Sequence, residues 1–374
     1  MYPPEYHDLD NLIVTILKIK PKMILELGGG YSTIAIAYAL AKNYEEHGVN
    51  GKLYSYDQSY EYLELTKKLI PDQLKSYVEF FHSDLVVKKL DNYEVSIYKS
   101  LKVQKYDLVY EDSLNYDLDL PHYGTRNGVI YNPDNSVSES DPKMWIEAVE
   151  FLFRRLKESS IPLSQVKSIS VSGQQHGLVA LDKEGNLSRP SSKLWNDFST
   201  QMECDLLEDN IGGRSKMIQE VGNSQRTGYT ASKIYNIFLN ERDAYDKTSA
   251  FLLVHNFINW YLTGGVIAME EGDASGMALW DPVKKLWSDS VVNSIDIGLR
   301  AKLPNVDSSK NSIGFISEIL AKEFGFSPDC TIDSGSGDNM YGAVGTGNIA
   351  PGLVTISLGT SGTAYTFLEN PFVD

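Results

Sequence analysis

From residue 9 to residue 110 the chain alternates apolar runs of strand length with longer stretches of helical period. Leu9 to Ile19 has helical spacing, and Met23-Ile24-Leu25-Glu26-Leu27 reads as a short buried strand. Past Gly28-Gly29-Gly30 a helix is predicted from Ser32 to Lys42, then a strand over Lys52-Leu53-Tyr54-Ser55-Tyr56 that ends at Asp57. A helix from Tyr60 to Ile70 follows, with further strands at Val78-Glu79-Phe80-Phe81 and Tyr106-Asp107-Leu108-Val109-Tyr110. Alternation at this spacing predicts βαβ units and a parallel sheet.

The pattern changes beyond residue 110. A loop rich in Pro, Gly, Asn and Asp runs from Leu118 to Ser140. Asp141 is placed to cap a helix that starts at Pro142 and reaches Ser159. A strand is predicted at Ser168 to Ser172, a turn at Gly173 to Gly177 and a strand at Leu178 to Leu181. Helical patterns follow at about 195–210, 214–222, 230–240, 253–262 and 314–324. Strands then return, with a helix near Asn339 to Gly345. The whole is α/β, without internal repeats.

Composition narrows the function classes. With 374 residues, two or three domains are expected. The net charge of −16, from 34 basic and 50 acidic residues, argues against a nucleic-acid partner, which needs a basic surface. No run of 18 apolar residues and no basic-then-apolar leader occurs, so neither a membrane partner nor export is expected. Cys204 and Cys330 have no metal or disulfide spacing, which fits a reduced, cytoplasmic setting. The sequence carries no signal for an oligomeric state.

In residues 1–110 the chemistry gathers at strand ends. Glu26-Leu27-Gly28-Gly29-Gly30-Tyr31-Ser32-Thr33 makes a strand-to-helix turn where glycines let a ligand approach the backbone. Asp57 ends the next strand, where an acidic side chain can accept from a ribose. His82-Ser83-Asp84 follows the third strand. The spacing GxGxxG is not kept, and a helix-capping turn with nothing bound explains the glycines equally well. The set resembles the cofactor half of class I S-adenosylmethionine-dependent methyltransferases. That resemblance implies Glu26, Gly28 and Gly30 at the methionine side, Asp57 at the ribose and Asp84 near the adenine. The pattern stops at the fourth strand, so a Rossmann-like partial sheet is expected rather than a complete enzyme.

The second segment carries an Asp-Asn pair at a Gly-rich strand end, Gly335-Ser336-Gly337-Asp338-Asn339, followed by Ser357-Leu358-Gly359-Thr360-Ser361-Gly362-Thr363. Such a pair suits phosphoryl transfer to a hydroxyl: the carboxylate takes the proton, and a Gly/Ser/Thr hairpin tip holds phosphate oxygens. Asp338 could equally begin the following helix, and the hairpin tip could be only a turn. Gln175 and His176, in Ser172-Gly173-Gln174-Gln175-His176-Gly177, can donate and accept towards adjacent hydroxyls. A histidine satisfied inside the core is the plain alternative.

Those motifs, with Asp119-Leu120-Pro121-His122-Tyr123-Gly124, Leu194-Trp195-Asn196-Asp197, Arg226-Thr227-Gly228 and Glu270-Glu271-Gly272-Asp273-Ala274-Ser275-Gly276, resemble FGGY-family sugar kinases, most of all their xylulokinase branch. The resemblance runs over residues 107–374. It implies a ribonuclease-H-like fold of the actin and hexokinase type, and transfer of phosphate from ATP with Mg2+ to D-xylulose, a ketopentose. It further implies Asp338 as the base, Asn339, Gln175 and His176 around the sugar with Asp197 as an indirect contributor to that pocket, and Gly359, Thr360, Ser361, Gly362 and Thr363 around the phosphates. Asp197 could equally cap a helix and Trp195 be a core aromatic. The expected domains are 1–110, methyltransferase-like; 111–327, sugar-binding; and 328–374, the start of a truncated ATP-binding domain.

Two departures from the family pattern matter. No Asp-Leu-Gly-Thr or Asp-Leu-Ser-Thr phosphate loop precedes Asp119, and the nucleotide domain breaks off after its first hairpin. Phosphoryl transfer by this chain alone is therefore expected to be impaired. A sugar-binding protein without catalysis, or an S-adenosylmethionine binder with an added sugar module, is the rival expectation. Val254 to Gly264 reads as a buried helix ended by glycine. Glu271 and Asp273 show no coordination spacing, so no protein metal site is expected.

Overall fold

Short apolar strands need flanking helices to cover them, and the computed structural model places them in that way. It describes residues 12–13, 16–90, 93–98, 108–111, 114, 116–159, 161–309, 311–345, 351, 354–358 and 362–366. The chain forms two compact units, one from residues 1–114, 151–163 and 341–367, the other from 115–150, 164–340 and 368–374.

In the first unit, strands β1 (Met23–Leu27), β2 (Lys52–Asp57), β3 (Val78–His82) and β6 (Leu108–Glu111) form a parallel sheet ordered β3-β2-β1-β6. Helix α1 (Tyr31–His47) follows β1, and α2 (Tyr60–Leu69) follows β2. Ile24, Leu53, Ile36, Ala37 and Leu40 are fully buried and join sheet to helix in one apolar cluster. The first helix is longer than its sequence pattern suggested, because Tyr44 to His47 continue it on a solvent-facing side until Gly48 ends it. Ser59 caps α2 by accepting from the Tyr62 N–H at 3.2 Å.

Strands β4 (Leu85–Leu90) and β5 (Tyr93–Tyr98) add an antiparallel hairpin, Leu85 opposite Tyr98 and Leu90 opposite Tyr93. The sequence reading assigned nothing here, although Asp91-Asn92 between two β-rich runs is a hairpin signal. The fourth parallel strand begins at Leu108; Tyr106 and Asp107 lie outside the described residues.

In the second unit, helix α3 (Pro142–Glu158) starts as expected, with the Asp141 carboxylate accepting from the Lys143 N–H at 2.9 Å; its first part, to Glu150, belongs here. The predicted strand at 168–172 is two short pieces, β7 (Ser168–Ile169) and β8 (Ser172–Gly173). Strand β9 (Val179–Leu181) later pairs antiparallel with β10 (Ala250–Leu252). Helices α4 (Gln201–Asn210), α5 (Arg214–Val221) and α6 (Thr230–Asn240) bring Leu207, Met217 and Ile234 to a core shared with Phe251 of β10, Met277, Trp280 and Trp287; α7 (Val254–Thr263) follows β10, and α8 (Glu271–Gly276) adds Ala274.

Two boundaries differ from the sequence reading. Helix α4 begins at Gln201, since Ser192 and Lys193 pair with Ser140 and Glu139 and the chain turns before the helix. Residues 312–315 are strand β11 (Ser312–Phe315), and α9 (Glu318–Phe324) starts only after Ser317, whose hydroxyl accepts from the Leu320 N–H. Ile313 and Phe315 alternate with Ser312 and Gly314, a strand period that the neighbouring helical pattern hid. Strand β12 (Thr331–Asp333) lies between β11 and β7, parallel to β7. Strand β13 (Ser336–Gly337) pairs parallel with β8 and leads into α10 (Asp338–Gly345). The hairpin β14 (Val354–Leu358) and β15 (Gly362–Thr366) belongs to the first unit and is antiparallel, Leu358 opposite Gly362.

Candidate active site

The pairing of β8 with β13 aligns Ser172 with Ser336 and Gly173 with Gly337. It brings two stretches far apart in sequence to one edge, so that Gln174-Gln175-His176 leaves one strand where Asp338-Asn339 leaves the other. Glycine is required for this approach. A Cβ at Gly337 would sit 2.4 Å from Gln175 Cγ, so the Gln175 side chain lies directly on the backbone that precedes Asp338. Gly335 has φ +69°, and a Cβ there would meet the Val171 carbonyl at 2.4 Å.

Asp338 opens α10 and is exposed; its Oδ1 accepts from the Asn339 N–H at 2.9 Å, with the Asn339 amide at 3.3 Å. A helix N-terminus favours the charged form of such a carboxylate. Beneath it, Ser336 Oγ donates to Glu270 at 3.1 Å, and Glu270 also accepts from the N–H groups of Gly272 and Asp273 at the start of α8. Burial raises the Glu270 pKa, with the nearby Asp273 charge acting in the same sense.

His176 is half-buried and packs against the Tyr229 ring, 4.9 Å between centroids. A Cβ at Gly276 would lie 3.0 Å from its Cε1 and 3.4 Å from its Nδ1. Burial, then the Lys233 charge, lowers the His176 pKa to about 4. The imidazole is thus neutral at physiological pH, with one nitrogen able to donate and the other to accept.

The remaining sequence candidates fall in several places. Asp197 is not a helix cap and does not reach the surface. It is fully buried and accepts from the Ser138 N–H at 2.9 Å and from Ser199 Oγ at 2.6 Å, 3.7 Å from the Lys193 ammonium. Trp195 is half exposed rather than a core aromatic. Gly359, Thr360 and Ser361 lie outside the described residues, and Gly362 and Thr363 are placed as the first residues of β15. Glu271 pairs with Lys285 at the surface. Among the described residues no cluster of three His, Cys, Asp or Glu is set to hold a metal. Cys204 and Cys330 are free and buried.

Two supporting groups escaped sequence reasoning. His255 Nε2 donates to Asp273 at 2.8 Å, both side chains fully buried, and a Cβ at Gly173 would lie 2.8 Å from His255 Cβ. Lys233 is fully buried in α6. It is the single charged residue from Gly228 to Asn240, a signal that was available in the sequence.

In the first unit, the sheet register puts Leu27 beside Tyr56 and Asp57 beside His82, so Gly28, Asp57 and Asp84 gather at the carboxyl edge. Gly28 donates to the Tyr56 carbonyl at 2.8 Å, and Asp57 accepts from the Gly29 and Ser59 N–H groups at 2.9 and 2.7 Å. Asp84 is exposed, and around Gly30 there is open space. Glu26 does not face that space. It is fully buried and accepts from Ser32 and Thr33 at 2.7 Å, so it braces the glycine turn from behind. A groove of about 540 Å³ in this unit lies elsewhere, between α1 and residues 71–77, lined by Tyr31, Ala35, Tyr38, Pro71, Leu74 and Tyr77.

Burial holds Glu26 near pKa 7, against an ordinary value of 4.5. A carboxyl whose folded pKa is raised favours the fold most at low pH, and that contribution is lost as pH rises from about 4.5 to about 7. The stability of Glu26→Gln relative to the native chain is therefore expected to rise by about 2–3 kcal/mol between pH 5 and pH 8. Urea unfolding followed by backbone circular dichroism measures it, and an offset independent of pH would contradict it.

Comparisons with known proteins agree with the second unit. Residues 115–345 match the model of the FGGY family of carbohydrate kinases, N-terminal domain. A xylulose kinase of Haemophilus influenzae is 38% identical over 254 residues, covering 66% of this chain and 51% of that protein. Xylulose kinase 2 of Arabidopsis thaliana is 30% identical, covering 69% and 50%. The solved xylulose kinase of Bifidobacterium adolescentis superposes with TM-score 0.55 at 27% identity, over 63% of this chain and 53% of that one. The chain spans about half the length of the curated relatives it matches. With the family model covering the segment that holds the paired strands, Gln175, His176 and Asp338, this mixed α/β chain belongs to the FGGY family of carbohydrate kinases.

Proposed function

We propose that the second unit binds a ketopentose, D-xylulose, for phosphorylation by ATP to D-xylulose 5-phosphate. The observation that carries this reading is the β8–β13 pairing, which joins Gln175 and His176 to Asp338. A polyol is recognised by directional hydrogen bonds, one set per hydroxyl. Neutral His176 and the Gln175 amide offer both donors and acceptors, and Asn339 adds an amide beside Asp338. Asp338 accepts the proton of the attacking hydroxyl as its oxygen turns nucleophilic, an effect worth about 10²- to 10⁴-fold in rate. Asp197 acts at a distance, by fixing residues 138 and 199 behind the sugar segment.

ATP with Mg2+ supplies the transferred group and shields its charge. Asp338, exposed at the start of a helix, is placed to meet a substrate hydroxyl, and Gly359, Thr360, Ser361, Gly362 and Thr363 are the residues the family resemblance assigns to phosphate. The domain scheme 1–110, 111–327 and 328–374 and a cytoplasmic setting belong to the same proposal. No helix among the described residues is long and apolar enough to cross a membrane.

Thermal unfolding with and without D-xylulose, followed by ADP release on adding MgATP, tests it. Protection by ketopentoses together with ADP release supports a kinase. Protection without ADP release supports a sugar-binding protein that does not catalyse. No protection by any ketopentose or polyol overturns the sugar site.

The gathering of Gly28, Gly30, Asp57 and Asp84 at one sheet edge favours a second reading for the first unit: a nucleoside-bearing cofactor such as S-adenosylmethionine, a methyl donor when bound. Asp57 would reach the ribose with the lone pairs its two backbone bonds leave, Asp84 would lie near the adenine, and Glu26 would act by holding the turn. Calorimetric titration with S-adenosylmethionine decides it. Micromolar binding that Asp57→Ala removes is expected, and an absence of heat overturns it.

A further inference from the structure

We infer that Lys233 is a positioning residue for sugar binding, its ammonium holding the backbone turn from which Gln175 and His176 project. This deepens the sugar-site reading above and rests on it. His176 has φ +64°, a left-handed conformation that a non-glycine residue keeps only when its surroundings hold it there. What holds it is visible. Lys233 Nζ donates to the His176 carbonyl at 2.9 Å and to the Gly228 carbonyl at 2.7 Å, and Thr230 Oγ1 reaches the same His176 carbonyl at 3.4 Å.

One buried cation thus ties the sugar turn to the start of α6, whose flanking Tyr229 ring packs on the His176 ring. Losing the tie frees the turn, and Gln175 and His176 no longer present their polar atoms in a fixed direction. A helix that needed Lys233 only for packing would be served as well by an apolar side chain of its length.

The charged and titratable neighbours of Lys233 are Asp197 and Lys193 on the segment before α4, Cys204 on α4, and His176 on the turn itself. Burial lowers the Lys233 pKa to about 7, Asp197 opposing and Lys193 assisting that shift. His176 near 4 and Cys204 near 11 keep their charge states between pH 6 and 9. Sugar affinity therefore falls as pH rises through about 7, when the ammonium becomes an amine with weaker donors.

Calorimetric titration of the full chain with D-xylulose at pH 6 and pH 8.5 tests this, on the native chain, Lys233→Met and Lys233→Arg. The native chain is expected to bind several-fold more weakly at the higher pH. Lys233→Met is expected to bind at least tenfold more weakly with no pH dependence, while Lys233→Arg loses less at pH 6 and stays flat with pH. If Lys233→Met does not fold, the native pH profile decides: a fall supports the role and a flat profile overturns it. A folded Lys233→Met that binds as the native chain does overturns this inference alone. A native chain that binds no ketopentose overturns the sugar-site reading, and this inference falls with it.

Discussion

Replacing Asp273 by alanine is expected to destabilise the second unit by about 3 kcal/mol. Its carboxylate is fully buried, accepts from His255 Nε2 at 2.8 Å and lies 3.4 Å from the Asn256 amide. Removing it leaves a buried imidazole donor without its acceptor, which costs about 1–3 kcal/mol, and more where the pair carries charge. The truncated side chain adds a small void on the buried face of α8, next to Glu270. Asp273→Asn keeps the volume and one acceptor, so a smaller loss is expected. All five tryptophans, at 145, 195, 260, 280 and 287, lie in the second unit, so their fluorescence in urea reports this unit alone. A midpoint unchanged in Asp273→Ala would show that the buried pair does not support the fold.

Replacing Asp338 by alanine is expected to weaken D-xylulose binding by about 10- to 100-fold, the range for losing a hydrogen bond to a charged group. Asp338 is exposed, and its Oδ1 accepts from the Asn339 N–H at the start of its own helix. At such an exposed position the substitution is expected to change the unfolding free energy by less than about 1 kcal/mol. Asp338→Asn retains a polar side chain that cannot take a proton. Its sugar affinity is expected to fall only a few-fold, while ADP release with MgATP falls by about 10²- to 10⁴-fold. Native-like ADP release by Asp338→Asn would count against the proton-accepting role. This effect is separable from that of Asp273, since one variant changes stability and the other changes binding.

The sequence reveals local order better than pairing. Met23 to Leu27 and Lys52 to Tyr56 are legible as strands because each is a short, largely apolar or aromatic run bounded by turns, and they form the parallel sheet expected. Ser168 to Ser172 reads as one strand, yet it divides into β7 and β8, each paired with a different partner late in the chain. That division follows from contacts with residues 331–337, which no local period records. Asp338, Gln175 and His176 are legible because motifs mark them. Their supports are harder to read: His255 sits inside an apolar helix pattern and Asp273 has no metal spacing, while Lys233 is marked only by being the lone charge in an apolar helix, with its partners on a distant turn. Glu26 and Asp197 show the converse. Glu26, expected at a ligand, is taken up by the Ser32 and Thr33 hydroxyls, and Asp197, expected as an indirect contributor, is taken up by Ser138 and Ser199.

The central claim is that Gln175 and Asp338, joined by the pairing of β8 with β13, bind one sugar together. A double-mutant cycle on D-xylulose affinity, with Gln175→Ala, Asp338→Ala and the double variant measured by calorimetry, tests it most directly. Groups holding the same ligand side by side are coupled, so the double variant is expected to lose several-fold less affinity than the product of the two single losses. Losses that multiply, or single variants that bind as the native chain does, would contradict a shared site.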